Sequence, residues 1–199
     1  MVAPPKELET LPETFFNNDT RSVAKNLLGK KVARVSNDHL LTGEIVETEA
    51  YYGKGDPSSH ASRGKTKRNK IMWEKGGICY IYLVYGIHYM LNVTTEDKGK
   101  PGAVLIRALR PIRGIEYMKQ QRQIDDEAKL TNGPGKLTKA LNVEIDLNHT
   151  DLTEGKELWL AKGKSYQREH IGVSGRIGVD EKKPPKLRFF VKGDPFLSR

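Results

Sequence analysis

"GGICYIYLVYGIHYMLNV", Gly76 to Val93, decides how this chain folds and raises the question of what it does. Two apolar runs, Ile78 to Val84 and Ile87 to Thr94, flank a Tyr-Gly pair, the pattern of two strands joined by a tight turn. A buried hairpin can be built from Val, Ile and Leu at no polar cost. This one carries Tyr80, Tyr82, Tyr85 and Tyr89, half of the chain's eight tyrosines. Strand alternation sets Tyr80 and Tyr82 on one face. Tyr85, beside Gly86, falls at the tip, where a side chain protrudes. An aromatic core whose hydroxyls find partners is the simpler explanation of such rings, and it suits Tyr89. A stacking surface for Tyr82 and a wedge between bases for Tyr85 are the sharper ones.

Outward from the hairpin, the remaining segments read mostly as strands. "KKVARV", "LTGEIVETEAYY", "GAVLIRAL", "KELWLAK" and "PKLRFFVKG" have strand character. "NDTRSVAKNLLGK" reads as a helix capped by Asp19 or Thr20 and stopped at Gly29. "GIEYMKQQRQI" and "KLTKALN", after Pro134, are further helices. Gly53 to Asn69 has no periodicity and reads as a long loop, the kind that is usually functional or disordered. Regular strand–helix alternation is missing, which excludes a doubly wound fold. The expected class is α+β: one domain over 13–199 around a curved, largely antiparallel, open-barrel-like sheet, with flanking helices and a protruding hairpin. Residues 1–12, polar and rich in proline, are expected to form a flexible N-terminal segment.

The chain has 199 residues, and 34 Lys and Arg against 25 Asp and Glu give a net charge of +9. That excess suits a polyanionic partner, although net charge serves solubility first. One cysteine, Cys79, excludes an internal disulfide framework and a cysteine-clustered metal site. The histidines at 39, 60, 88, 149 and 170 are scattered, there is no H-E-x-x-H, and no G-x-G-x-x-G occurs. "GPGKLTK" lacks the spacing and the Ser/Thr of a phosphate-binding P-loop. The scattered histidines therefore give little support to a histidine metal site. "MVAPPKELETLPETFF" shows neither an apolar signal core nor a basic leader, and no run is long enough to span a bilayer. The expectation is a soluble, intracellular protein with reduced thiols and no membrane partner.

Three further stretches carry chemistry. In "EIVETEAYY", alternation puts Glu47, Glu49 and Tyr51 on one face. A solvated strand face is the commoner origin of such a pattern; a pocket wall with a glutamate general base is the alternative. In "HASRGKTKRNK", Arg63, Lys65, Lys67, Arg68 and Lys70 crowd into eight residues with no acid among them. Such runs are usually solvated, but each could neutralise a phosphate. His60 at its head is either a surface ring or one that meets a ligand. In "VLIRALRP", Arg107 interrupts an apolar run. It is either an edge-strand arginine or a buried cation seeking a carboxylate or phosphate, with Glu49 one candidate.

"VETEAYYG", a histidine, "RNKIMW", "CYIYLVYGIHYMLNV", "AVLIRALRP", "NGPGKLTKAL", "GRIGV" and "LRFFVKGDPFLS" follow one another in this order. Together they resemble the alkyladenine (3-methyladenine, methylpurine) DNA glycosylase family, from about Pro12 to Ser198. The resemblance implies a monofunctional glycosylase of base excision repair. Such an enzyme acts on double-stranded genomic DNA, flips an alkylated or deaminated purine from the duplex and hydrolyses the N-glycosidic bond, leaving an abasic site; the chain is expected to be a monomer. The resemblance also implies an α+β fold and no cofactor. Carried over residue by residue, Glu49 matches the carboxylate that deprotonates the attacking water, and Arg107 the arginine that helps hold it. Tyr51, His60 and Tyr82 match the walls around the flipped base, Tyr80 lies beside that nucleotide, and Asn92 matches the residue that rejects the guanine amino group. Tyr85 matches the side chain inserted into the gap, and Ile177 a backbone position near the water. The chain departs from the family pattern at "KTKRN", where Lys67 replaces a proline, and at "MWEK". Both lie in or beside the basic loop, outside the catalytic set.

Overall fold

The computed structural model describes residues 6–179 and 185–198. Its layout is governed by one long strand. β1 (Lys31–Ser36) and β2 (His39–Tyr51) form a hairpin across Asn37 and Asp38, both at positive φ (46° and 63°). Two-residue hairpin turns demand that conformation, and Asn and Asp tolerate it. β2 then outlasts its partner. Along one edge it pairs with β5 (Ala103–Arg113); along the other it leaves β1 at Glu44 and takes up β8 (Arg188–Val191) from Glu47 to Glu49. Register shifts on either side of Glu47 bend the strand there, as bulges do near functional sites.

β3 (Cys79–Val84) and β4 (His88–Thr94) make the expected hairpin, and β6 (Leu158–Ala161) closes the far edge. The order is β3-β4-β5-β2-β1-β6, with β8 branching from β2 and β7 (Ile171–Ser174) from β8. Every pairing is antiparallel. The result is the expected α+β domain on a curled sheet. β7 was not foreseen: four residues that include Gly172 carry little strand signal. A Cβ at Gly172 would run into the Phe190 ring, so a larger residue there would require that ring to move.

The short helices are α1 (Glu13–Phe16), α2 (Thr20–Asn26), α3 (Ile115–Arg122) and α4 (Pro134–Ala140). Asp19 caps α2, accepting from the Ser22 amide at 3.0 Å, and Gly29 takes φ 84° just past its end. α4 starts on Pro134 itself, whose fixed φ suits the first helical position. Phe16, Leu27, Ile45, Leu91, Ile106, Leu109, Leu137 and Phe189 belong to one buried core. Cys79 lies in it, and burial pushes its thiol pKa far up. Of the segment up to Pro12, residues 1–5 lie outside the described residues. Leu8 and Leu11 are buried, and the Trp159 indole donates to the Leu8 carbonyl at 3.1 Å.

Candidate active site

Where β2 bends, Glu47 and Glu49 project to the same side and meet Arg107 from β5. Neither simpler explanation survives. Both carboxylates are fully buried, not solvated, and β5 lies between β4 and β2, not at an edge. A guanidinium in that position must find carboxylates. Arg107 donates from Nε to Glu47 Oε1 at 3.0 Å and from Nη1 to Glu49 Oε2 at 3.1 Å. Its Nη2 donates to Ser198 Oγ at 3.1 Å.

The two glutamates differ in what else they hold. Glu47 accepts from Arg188 Nε, the Ser198 amide and Ser198 Oγ, each at 2.7 Å. Burial alone would raise its pKa; the hydrogen bonds from Arg188 and Ser198 outweigh it and hold the carboxyl below its ordinary range. Glu49 accepts from the Ile177 amide at 2.7 Å and from the Tyr51 hydroxyl at 2.8 Å. Burial first, then the Glu49 carboxylate, pushes the Tyr51 phenol far above its usual value, so Tyr51 stays a donor. Glu47 therefore anchors the arginine and the chain's C-terminal turn. Glu49 connects the same arginine to an aromatic chamber.

That chamber is a cavity of about 20 Å³ whose walls include Tyr51, His60, Tyr80, Tyr82 and Asn92. His60 Nδ1 lies 2.8 Å from the Tyr80 hydroxyl, and its ring meets Tyr82 edge-on at 4.5 Å. Partial burial, with Arg68 nearby, lowers the His60 pKa and favours the neutral ring. Burial also pushes the phenols of Tyr80 and Tyr82 up to about 12. Asn92 is buried, and its amide donates to the Tyr80 carbonyl at 3.0 Å. A separate cleft of about 790 Å³ reaches Arg107 and Ser198.

The basic loop is anchored, not free. Asn69 donates to the carbonyls of His60 (2.7 Å) and Gly64 (3.0 Å), and its Oδ1 accepts from the Thr66 amide. Ile71 and Met72 bury themselves against Ala61 and Tyr80. Arg63, Lys65, Lys67, Arg68 and Lys70 are left exposed. Arg68 sits 5.4 Å from the Tyr82 ring centre, Lys65 5.9 Å from that of Trp73. At the hairpin tip Tyr85 takes φ 52° and is 90% exposed.

The structure thus gathers Glu49, Arg107, Tyr51 and the Ile177 amide in one bonded network, with His60, Tyr80, Tyr82 and Asn92 adjoining. Sequence reasoning gave no role to Glu47, Ser198, Arg188, Asp56 or Arg176. Only Glu47 had a signal, its place on the Glu49 face.

Comparison with known proteins places the chain among DNA glycosylases. A family model described as "Methylpurine-DNA glycosylase (MPG)" matches residues 14–195. A protein of Carboxydothermus hydrogenoformans is 46% identical over 189 residues, covering 95% of this chain and 98% of its own. Relatives from Chlorobium phaeobacteroides and Methanoculleus marisnigri are each 42% identical, over 190 and 193 residues; they cover 95% and 96% of this chain, and 96% and 99% of their own. All three carry the name "Putative 3-methyladenine DNA glycosylase". With a match over nearly its whole length, the chain belongs to the methylpurine-DNA glycosylase family and is a DNA glycosylase, a hydrolase of the N-glycosidic bond.

Proposed function

We propose that this enzyme flips an alkylated or deaminated purine out of double-stranded genomic DNA inside the cell and hydrolyses it off with a water activated by Glu49. The supporting observation is a fully buried Glu49 bonded to Arg107, the Tyr51 hydroxyl and the Ile177 amide at the edge of an aromatic cavity. Tyr51, His60 and Tyr82 enclose the flipped base, Tyr80 braces it, and Asn92 rejects the guanine amino group. Tyr85 fills the gap left in the duplex. Arg63, Lys65, Lys67, Arg68 and Lys70 contact the DNA backbone without sequence preference.

Unpairing costs a few kcal/mol, least for a damaged or mispaired base. Stacking on an aromatic returns about 1–3 kcal/mol. These terms nearly cancel, so lesions flip preferentially. An alkylated purine is a cationic, activated leaving group, and its loss leaves an oxocarbenium-like sugar that water attacks. Glu49 as general base contributes about 10²–10⁴ in rate. Arg107 and the Ile177 backbone orient that water. The enzyme works as a monomer without a cofactor on lesions such as 3-methyladenine and hypoxanthine; neutral hypoxanthine, unlike the cationic lesion, must also gain a proton as it departs.

Single-turnover excision tests this, from duplexes carrying one hypoxanthine and, separately, from alkylated DNA. Wild type is expected to release the base, and Glu49→Gln to bind the same DNA and release none. Equal DNA binding by both proteins with no base released by either would leave a binding module, and the proposal would fail.

A further inference from the structure

We propose that Asp56 and Arg176 form a positioning pair that holds the Glu49 carboxylate and the Tyr51 ring in register for the reaction; the proposal rests on the reading of Glu49 above. The Arg176 side chain is fully buried. Its guanidinium grips Asp56 by two parallel bonds, Nη1 to Oδ2 at 2.8 Å and Nη2 to Oδ1 at 2.7 Å. Nη1 also donates to the Ala50 carbonyl at 3.0 Å, and the guanidinium carbon lies 4.5 Å from the centre of the Tyr51 ring. Asp56 is tied back in turn, since Oδ2 accepts from the Tyr52 amide at 2.9 Å. The pair therefore brackets the end of β2, touching Ala50, Tyr51 and Tyr52 in succession.

Its link to Glu49 runs along two routes. Tyr51, on whose ring Arg176 stacks, gives its hydroxyl to Glu49 Oε2; Ile177, the next residue after Arg176, gives its amide to Glu49 Oε1. Of the groups seen donating to Glu49, Arg107 alone is independent of Arg176. The segment that carries Ile177 follows a four-residue strand and contains Gly175 and Gly178, the latter at φ 75°. A carboxylate that must take a proton from one direction needs its other lone pairs committed. A planar fork supplies that better than an ammonium, because it bonds Asp56 with two donors and stacks on a ring at once. Arg176 is not among the cavity's walls, so it acts through Tyr51 and Ile177 and not on the base.

The test uses Arg176→Met, Arg176→Lys and Asp56→Asn in the full chain. It reads saturating single-turnover excision of hypoxanthine, affinity for the lesion duplex, and the folded fraction by circular dichroism. A displacement of about 1 Å at a reacting group costs about 10²-fold in rate. Arg176→Met is expected to lose about that much per folded molecule, with the lesser losses in Arg176→Lys and Asp56→Asn and no change in duplex affinity. Tyr51→Phe adds a readout that a purely structural role would leave alone. If the pair acts through the hydroxyl, Tyr51→Phe costs less in the Arg176→Met background than in the wild type. Asp56→Asn keeps the shape of the site and carries the same readouts should Arg176→Met fold poorly. An unchanged rate per folded molecule, with an undiminished cost of Tyr51→Phe, overturns the pairing. A wild type that excises nothing overturns the Glu49 reading with it, so the two failures are distinguishable.

Discussion

Glu47→Gln separates the two carboxylates that share Arg107. Glu47 has no exposed side-chain surface and accepts from two guanidiniums, at 3.0 Å from Arg107 and 2.7 Å from Arg188. Glutamine keeps the shape and one acceptor oxygen but leaves both cations short of a counter-charge. Removing one partner of a buried ion pair costs about 3–5 kcal/mol, and the retained oxygen argues for the lower end, about 3 kcal/mol. In a chain of this size each kcal/mol lowers Tm by about 2–4 °C, so the expected drop is about 6–12 °C. Thermal unfolding at pH 7 measures it. The excision rate per folded molecule is expected to stay within about tenfold, whereas on the proposed reading Glu49→Gln removes a general base worth about 10²–10⁴.

The loss has a definite pH dependence. The folded Glu47 carboxyl lies below its ordinary 4.5, so the unfolded chain takes up that proton first. The stabilisation is complete above about 4.5 and drains away as pH falls through the depressed folded value. The Tm gap between wild type and Glu47→Gln must therefore narrow in that acid range. A gap under about 2 °C at pH 7, less than a single kcal/mol gives, refutes the anchoring role. So does a gap that is the same at pH 7 and in acid.

Three other outcomes follow from the site. Tyr85→Asn keeps a residue that tolerates the left-handed tip but removes the ring; binding to a lesion duplex should weaken by about 1–3 kcal/mol, with Tm unchanged because Tyr85 is 90% exposed. Lys67→Ala should lower the slope of log affinity against log salt by about 1 for every sequence alike, as loss of a phosphate contact does; an unchanged slope removes Lys67 from the interface. His60, whose pKa is lowered from 6.5, is neutral at pH 7 and gains its proton only as pH falls through that lowered value. Its contribution to stability is full above 6.5 and lost in the same acid range. Excision of a cationic lesion should fall there too, and His60→Gln should lack that limb in a pH–rate profile.

The sequence showed the parts of this site more clearly than their surroundings. Period-two alternation put Glu47, Glu49 and Tyr51 on one face, and a charge inside "VLIRAL" called for a carboxylate. The Tyr-Gly tip was equally readable, since Tyr85 protrudes as the turn chemistry requires. What could not be read was burial. Whether a glutamate-bearing face is wet depends on what covers it, and here the cover comes from afar. Ser198 reaches Glu47 across a separation of 151 residues, Arg188 across 141, and Arg176 reaches Asp56 across 120. Local pattern holds no trace of such contacts. The bend at Glu47 is hidden for the same reason, because it arises where β2 exchanges β1 for β8 and both partners are remote in sequence.

The polar and aromatic halves of the site stand in different states of readiness. The polar half is assembled: Glu49 already has Arg107, Tyr51 and the Ile177 amide in place. The aromatic half is narrow, with about 20 Å³ of space among Tyr51, His60, Tyr80, Tyr82 and Asn92. Of its walls, Tyr51 is fixed by its bond to Glu49 and by the Arg176 stack, and the Tyr82 backbone is held by strand pairing. His60 lies on the loop side and is exposed, which makes it the wall that can yield. Swinging it gives up its contact with the Tyr80 hydroxyl, about 1 kcal/mol net, and the edge-on contact with Tyr82, about 0.5–1.5 kcal/mol. On the proposed reading, every base that enters bears this opening cost in addition to its own unpairing. A sound base pair, with the full unpairing cost, is then not repaid by stacking of about 1–3 kcal/mol. A lesion that is already poorly paired is. On the same reading, the movement of His60 adds to the selectivity that pairing strength begins, before any group in the pocket has read the base.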